Sequence, residues 1–203
     1  MRMSSVFLLS PASTAGRRAA ILMNPGAEFE LAKRLRNDEL TIGEVFSFLS
    51  GLYFRGKLAY ARRFATGPEK IFVITSNRGL LSPDTLVDLD ELREFAAVPI
   101  DLDEPRYLRP MMASARKLAA SVDAGARIVL LGSIATGKYV EPLGKVFGER
   151  LVFPSEFVGR GDMSRGGLML RSVVAGKELD YIPVGAAVRK GTRPPKLEKI
   201  RKG

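Results

Sequence analysis

The chain has 203 residues and a formal net charge of +10, and it contains neither cysteine nor histidine. These absences exclude disulfides, thiolate nucleophiles, Ser-His-Asp catalysis and metal sites that need cysteine or histidine ligands. A proton carrier must therefore be Asp, Glu, Lys, Tyr or a water, and a magnesium site with oxygen ligands stays possible. The composition, 46% hydrophobic and 27% charged, is typical of one globular domain.

Hydrophobic patterning predicts alternating strands and helices. In chain order, we predict a strand at residues 6–9, a helix at 28–36, a helix from residue 41 and a strand at 70–75. A helix at 109–122, a strand at 127–131, a helix at 136–147, a strand at 151–153 and a helix at 163–175 follow. This alternation predicts a three-layer αβα fold with a mostly parallel sheet, formed by residues 1–183 as a single domain. Residues 184–203 are predicted to be a basic, flexible tail.

The helix that starts near residue 41 carries the clearest local signal. Thr41 and Glu44 have capping-box spacing, in which each side chain pairs with an exposed backbone N–H. Gly51 and Gly56 weaken the middle of this helix, so we expect it to be bent or split. Its later part, residues 54–64, interleaves aromatic and basic residues. A solvated basic face is the favoured interpretation, and a ridge that faces nucleic acid is the alternative.

The distribution of charge predicts a partner and a compartment. Residues 189–203 contain seven Lys or Arg and one Glu. Such a tail suits nucleic acid or a nucleotide-like anion, although a solubilising tail without a specific partner is equally compatible with it. The apolar run at residues 6–9 is too short for a signal-peptide core or a membrane span, and no later segment approaches that length. We therefore expect a cytoplasmic protein with no membrane partner.

Four turns that follow the predicted strands are the candidate binding regions, because ligands of open α/β sheets bind at the carboxyl ends of the strands. In chain order, the first turn is residues 10–18, the second is 75–84, the third is 132–139 and the fourth is 153–156 with 158–167. They offer hydroxyl groups, cations and glycines that suit a phosphate or another anion. The candidate binding residues are Ser10, Arg17, Asn77, Arg78, Ser133, Lys138, Ser155, Arg160 and Arg165. We expect the four turns to converge on one cleft. Ordinary turn and capping chemistry is the alternative, and Asp162 or Ser164 is the expected N-cap of the last helix.

Short motifs at these turns resemble a known superfamily. Ser10-Pro11-Ala12 and the turn at residues 78–84 are similar to motifs of the YaaA peroxide-stress family, with Arg78 where a tyrosine is usual. The segment at residues 165–169 is similar to that family's arginine-glycine segment before the last helix. Residues 126–133 and Phe153-Pro154-Ser155 resemble the uracil-DNA-glycosylase superfamily, with phenylalanine where its loop has histidine.

This resemblance implies a protein that is associated with nucleic acid or nucleotides and recognises or acts on a base or a sugar-phosphate. If it is an enzyme, we expect glycosidic-bond or base-modifying chemistry with Asp162 or Glu156 as the acid or base, and phosphate bound by Arg160 and Arg165. The alternative is a non-catalytic stress-response protein in which the same turns bind a small anion or nucleotide. Neither interpretation calls for a cofactor or a metal. The oligomeric state is left open.

Overall fold

The computed structural model describes residues 4–187 together with residues 191, 192, 194, 195 and 197. The strands are β1 (Ser5–Leu9), β2 (Leu40–Thr41), β3 (Ile71–Ile74), β4 (Leu80–Leu81), β5 (Leu86–Val87), β6 (Arg127–Leu131), β7 (Leu151–Pro154) and β8 (Tyr181–Pro183). The helices are α1 (Arg17–Leu22), α2 (Glu30–Arg36), α3 (Ile42–Ser50), α4 (Leu52–Phe64), α5 (Leu89–Ala97), α6 (Pro105–Ser121), α7 (Gly137–Phe147) and α8 (Asp162–Ala175).

A six-stranded sheet in the order β4-β3-β1-β6-β7-β8 forms the centre of the molecule. Strands β3, β1, β6 and β7 are parallel neighbours, whereas β4 and β8 are antiparallel strands at the two edges. A separate antiparallel pair joins β2 to β5. This arrangement confirms the predicted mostly parallel sheet of a three-layer αβα domain.

Helices cover both faces of the sheet because its chain crossovers run in opposite directions. The connection from β1 to β3 moves one way across the sheet, and the connection from β3 to β6 moves back past β1. Right-handed crossovers then place the intervening helices on opposite faces. Helix α4 packs against β1 and α8, and α6 packs against α7. All five residues of β1 are consequently buried, as the continuous apolar run predicts.

The helix predicted from residue 41 is split into α3 and α4. Gly51 has a φ of +62°, a conformation that favours glycine, and it ends α3 and precedes α4. The capping box is confirmed, since Thr41 Oγ1 accepts a hydrogen bond from Glu44 N at 3.3 Å and the Glu44 carboxylate accepts one from Thr41 N at 3.0 Å. The sequence therefore specifies both the start of α3, through the capping box, and the break between α3 and α4, through Gly51.

Two glycines let α4 and α8 cross in backbone contact. A Cβ added to Gly56 would lie 2.8 Å from the carbonyl oxygen of Gly166, and one added to Gly166 would lie 2.7 Å from the carbonyl oxygen of Leu52. Both distances are closer than real Cβ contacts allow. The glycines thus bring the start of α8 next to the side chains that α4 directs towards the carboxyl end of β1.

Three features of the fold differ from the sequence predictions or extend them. Helices α1 and α5 and the short strands β2, β4, β5 and β8 were not predicted. Neither Asp162 nor Ser164 is the N-cap of α8; that position is Gly161, which makes no side-chain capping bond. Most of the predicted tail lies outside the described residues, but Val184 is buried in the core. In the part of the chain that the structure describes, no helix is both long and apolar enough to cross a membrane.

Candidate functional site

The turns after β1 and β6 meet at the carboxyl edge of the parallel strands. Ser10 N donates a hydrogen bond to the carbonyl oxygen of Leu131 at 3.2 Å, so the two strands stay paired up to this edge. Gly132 faces Ser10 so closely that an added Cβ would lie 2.9 Å from the Ser10 Cβ. The absence of a side chain at residue 132 therefore leaves room for the Ser10 hydroxymethyl group.

A cavity of about 540 Å³ lies at the same edge. Its polar wall includes Ser13 and Thr14 from the turn after β1, Ser76 from the turn after β3, and Lys138 at the start of α7. Its other walls are formed by side chains that are mostly apolar: Phe46, Phe95, Val98, Ile100 and Tyr139. This combination of apolar walls with a few polar groups is usual in small-molecule sites, and the volume falls within their range.

Lys57 lies directly behind this edge and has no solvent exposure. Its Nζ donates hydrogen bonds to the carbonyl oxygen of Ser10 at 2.6 Å and to Ser10 Oγ at 2.9 Å. The same Nζ lies 4.2 Å from the ring centroid of Tyr53 and 5.1 Å from that of Phe54. The residue therefore connects the middle of α4 to the end of β1 through a buried amine.

Burial lowers the pKa of the Lys57 amine from 10.5 to about 7, because the charged form loses its hydration. Two charged groups from α8 act on it in opposite directions. Asp162 favours the ammonium and raises the pKa, whereas Arg165 disfavours it and lowers the pKa. Near neutral pH, a substantial fraction of the amine is consequently uncharged and able to accept a proton.

The Tyr53 hydroxyl is buried beside Lys57 and makes no hydrogen bond of good geometry among the described residues, although the Arg165 side chain approaches it. Tyr53 is only 7% exposed, and its burial raises the pKa of the phenol to about 12, with a smaller opposing effect from Arg165. An orphan hydroxyl in a native interior is uncommon and costs free energy. This group can donate a hydrogen bond to a ligand that enters the cluster.

Arg165, a predicted phosphate-binding residue, lies in this cluster at the start of α8. Its side chain is 13% exposed. Nε donates to the carbonyl oxygen of Phe157 at 3.2 Å, and the guanidinium carbon lies 5.6 Å from the Phe157 ring centroid. The Asp162 carboxylate is 3.7 Å away from Nη1. The Phe157 contacts fix the guanidinium group in place, so it contributes a fixed positive charge to the buried edge.

The remaining candidates of the fourth turn form a neighbouring group. Arg160 donates to the carbonyl oxygens of Glu156 at 3.0 Å and Pro195 at 3.3 Å, and Ser155 Oγ donates to Glu156 Oε2 at 3.2 Å. A second cavity of about 560 Å³ is lined by Arg160, Gly161, Asp162, Met163, Ser164, Pro194, Pro195 and Leu197. Asp162 therefore borders this second cavity, while its charge also acts on Lys57.

The second turn contributes less to the edge than the sequence predicts. Arg78 forms ion pairs with Glu91 at 2.8 Å and Glu94 at 2.9 Å, and Asn77 Nδ2 donates to Glu94 at 3.4 Å. These two side chains are engaged by α5, and within this turn only Ser76 lines the first cavity. The structure does not bring Arg78 together with Arg165 and Lys138 as a group of unpaired cations.

Two further candidates, Arg17 and Ser133, line neither of the two cavities. Arg17 is exposed at the first position of α1, and Ser133 Oγ accepts a hydrogen bond from Ala135 N at 3.3 Å. Lys138 lines the cavity, with Nζ 5.2 Å from the Tyr139 ring centroid. Sequence reasoning missed Lys57 and Tyr53, which both lie in α4. Their spacing of four residues, together with buried Tyr60 and Phe64, was the available signal for one buried face.

Comparisons with family models, curated proteins and solved structures give no match for this chain. The resemblance to the YaaA and uracil-DNA-glycosylase groups therefore stays a prediction. Among the described residues, no group of three or more acidic, histidine or cysteine side chains is arranged to hold a metal ion. The geometry of the carboxyl edge is the basis for the functional argument.

Proposed function

We propose that the protein binds a nucleotide, or a base and sugar-phosphate of nucleic acid, in the cavity at the carboxyl ends of β1 and β3. The observation that carries this proposal is the composition of the cavity. Phe46, Phe95 and Tyr139 offer apolar and aromatic surface that suits a base, and Lys138 offers a cation that suits a phosphate. The basic residues 189–203 add favourable charge for a polyanionic partner.

The position of Lys138 supports the assignment of the phosphate end. It is the second residue of α7, whose 11 residues point their positive end towards the cavity wall. Backbone N–H groups at such a terminus are suited to anions. Hydroxyl groups of Ser13, Thr14 and Ser76 line the same cavity and are suited to hydrogen bonding with a sugar.

The role of the protein as a binder or as an enzyme depends on groups of the fourth turn, where Asp162 borders the second cavity. Asp162 and Glu156 are the proposed acid or base for chemistry on a base or glycosidic bond, and both belong to the fourth turn. A non-catalytic nucleotide-binding protein would use the first cavity without these carboxylates. Whether the protein is an enzyme or a non-catalytic binding protein, Lys138 must contribute to its affinity for the nucleotide.

Replacement of Lys138 by methionine tests the proposal. Affinity for AMP, UMP and a short single-stranded oligonucleotide would be measured by calorimetry or fluorescence, with adenosine and inorganic phosphate as partial ligands. A hydrogen bond to a charged group contributes about 1.5–3 kcal/mol, so we expect Lys138→Met to weaken nucleotide binding roughly 10-fold or more. Adenosine, which has no phosphate, should be affected much less.

Lys145→Met is the matched control, since Lys145 belongs to the same helix but borders a different, shallow hollow. It removes the same charge from the chain and should leave AMP affinity within about 2-fold of the unchanged protein. The proposal is wrong if the unchanged protein binds none of the nucleotides, or if both lysine variants lose affinity to the same extent.

A further inference from the structure

Ser10 and Lys57 have the geometry of a nucleophile and its base. Lys57 Nζ lies 2.9 Å from Ser10 Oγ and is held there by a second bond, 2.6 Å long, to the Ser10 carbonyl oxygen. Ser10 is 5% exposed and Lys57 is fully buried. A serine hydroxyl needs a base within hydrogen-bond reach, and a lysine replaces histidine in some unrelated hydrolases. This chain contains no histidine.

We propose that Ser10 and Lys57 form a catalytic pair for acyl transfer, in which Ser10 Oγ attacks the carbonyl carbon of a carboxylic ester and Lys57 Nζ accepts its proton. This inference does not rest on nucleotide binding, because it depends on neither Lys138 nor the aromatic wall of the cavity. The ester would approach from the cavity side, since Pro11 and Ala12, which directly follow Ser10, line that cavity.

The surroundings of Lys57 suit a base rather than a permanent cation. No carboxylate forms a hydrogen bond or ion pair with its amine within the described part of the chain, and its two bonded oxygens belong to Ser10. From α4, the aromatic rings of Tyr53 and Phe54 face the amine, and from α8, Asp162 and Arg165 act on it with opposite charges. An uncharged amine can keep its bond to the Ser10 carbonyl oxygen while its lone pair accepts the Ser10 Oγ proton.

The same cluster contains donors for the oxygen that becomes negative during attack. The Tyr53 hydroxyl is buried and makes no hydrogen bond of good geometry among the described residues, and it adjoins Lys57 through the ring contact at 4.2 Å. Arg165 is fixed against Phe157 and places its charge near both side chains. Fixed donors of this kind stabilise a tetrahedral oxyanion. The orphan hydroxyl thereby has a partner in the transition state.

The reaction balances without a cofactor. Ser10 Oγ forms a bond to the carbonyl carbon as its proton passes to Lys57 Nζ. The bond between that carbon and the alcohol oxygen then breaks, and the departing alkoxide takes the proton from Lys57. A water next attacks the acyl-Ser10 ester and gives its proton to Lys57 Nζ. The carboxylic acid leaves as Ser10 Oγ recovers the proton, so one ester and one water become one acid and one alcohol.

A small alkyl fluorophosphonate and p-nitrophenyl acetate test this pair directly. We expect the phosphonate to add one adduct to the full-length protein, located at Ser10 by mass spectrometry, and p-nitrophenyl acetate to release nitrophenolate. Ser10→Ala should abolish the adduct. A general base contributes roughly 100-fold or more to such a step, so Lys57→Arg should slow labelling at pH 8 by at least about 100-fold. Arginine stays protonated and cannot serve as the base.

Controls separate this role from a structural one. Ser121→Ala, which removes an exposed hydroxyl at the last position of α6, should leave the labelling rate within about 2-fold. In the unchanged protein, the rate should rise with pH through about 7, following the pKa of the Lys57 amine. Absence of a Ser10 adduct in the unchanged protein overturns the proposal. So does unchanged labelling of a folded Lys57→Arg variant, with folding checked by circular dichroism.

Discussion

The Lys57 amine occupies an environment in which its charge is costly. It has no solvent contact, and burial lowers its pKa to about 7 against a usual value of 10.5. Sequence analysis placed it on a solvated basic face, which holds for exposed Arg55 and Arg62 of the same helix but not for Lys57. Charge alone could not distinguish these positions, because the direction of each side chain depends on how α4 packs against β1 and α8.

This buried amine makes the stability of the fold depend on pH. Since the folded pKa is lower than the unfolded value, the unfolded chain binds more protons between about pH 7 and 10.5. The cost of the ammonium is fully present below pH 7, and the free energy of unfolding should rise with pH above it, by up to about 1.4 kcal/mol per pH unit. Urea unfolding at pH 7, 8 and 9 measures this rise.

Lys57→Met should remove that slope and be the more stable protein at pH 7, because methionine fills a similar volume without a charge. The measurements stay below pH 10, because buried tyrosines such as Tyr53 and Tyr60 have raised pKa values. Above that pH, the unfolded chain loses phenol protons first, and the free energy of unfolding would begin to fall. Lys117→Met, at an exposed position of α6, should retain the slope of the unchanged protein. A flat profile in the unchanged protein would show that the amine is not buried as described.

Strands and helices with a strong periodic pattern were predictable, and short or polar ones were not. The run at residues 127–131 became β6 with the same bounds, because it is buried and continuously apolar. Helix α5 was missed even though Asp88 and Glu91 form a capping box at its start. That omission also affected the candidate site, since Glu91 and Glu94 of α5 are the partners of Arg78. Because α5 was not predicted, neither were the ion pairs that these two glutamates form with Arg78.

The crossing of α4 and α8 positions the site and can be tested with one methyl group. Gly166→Ala would place its Cβ about 2.7 Å from the Leu52 carbonyl oxygen, so the helices must separate. Overpacking of this kind costs typically 1–3 kcal/mol, and we expect a matching loss in the free energy of unfolding. Arg165 moves with α8, so labelling of Ser10 should also slow.

Gly167→Ala is the neighbouring control. Among the described residues, its added Cβ meets only a Leu197 methyl at 3.5 Å, which is an ordinary contact. In the middle of α8, alanine is favoured over glycine by up to about 1 kcal/mol, so this variant should be as stable as the unchanged protein or more so. Equal destabilisation by the two alanines would contradict the close crossing.

The position of the candidate site at the carboxyl edge of the sheet was predictable from topology. Which side chains meet there was not. Strands β1, β3, β6 and β7 are parallel, so the turns that follow them share one edge of the sheet. The turns alone did not show that Ser10 pairs with Lys57, or that Arg160 is bound by backbone carbonyls. Lys57 belongs to α4, 47 residues along the chain from Ser10, and one of the two carbonyls that bind Arg160 belongs to Pro195. The predicted role of the basic tail concerns residues that lie largely outside the described structure.

An NMR titration of the isotopically labelled protein with AMP tests the central claim, that the carboxyl edge of the sheet is the ligand-binding site. We expect amide shift changes to concentrate in residues 10–16, at Ser76 and at the start of α7, with the outer parts of α6 and α7 unaffected. The Lys138→Met variant should reduce these changes at equal AMP concentration. Changes centred elsewhere in the chain, or none at millimolar AMP, would contradict the account.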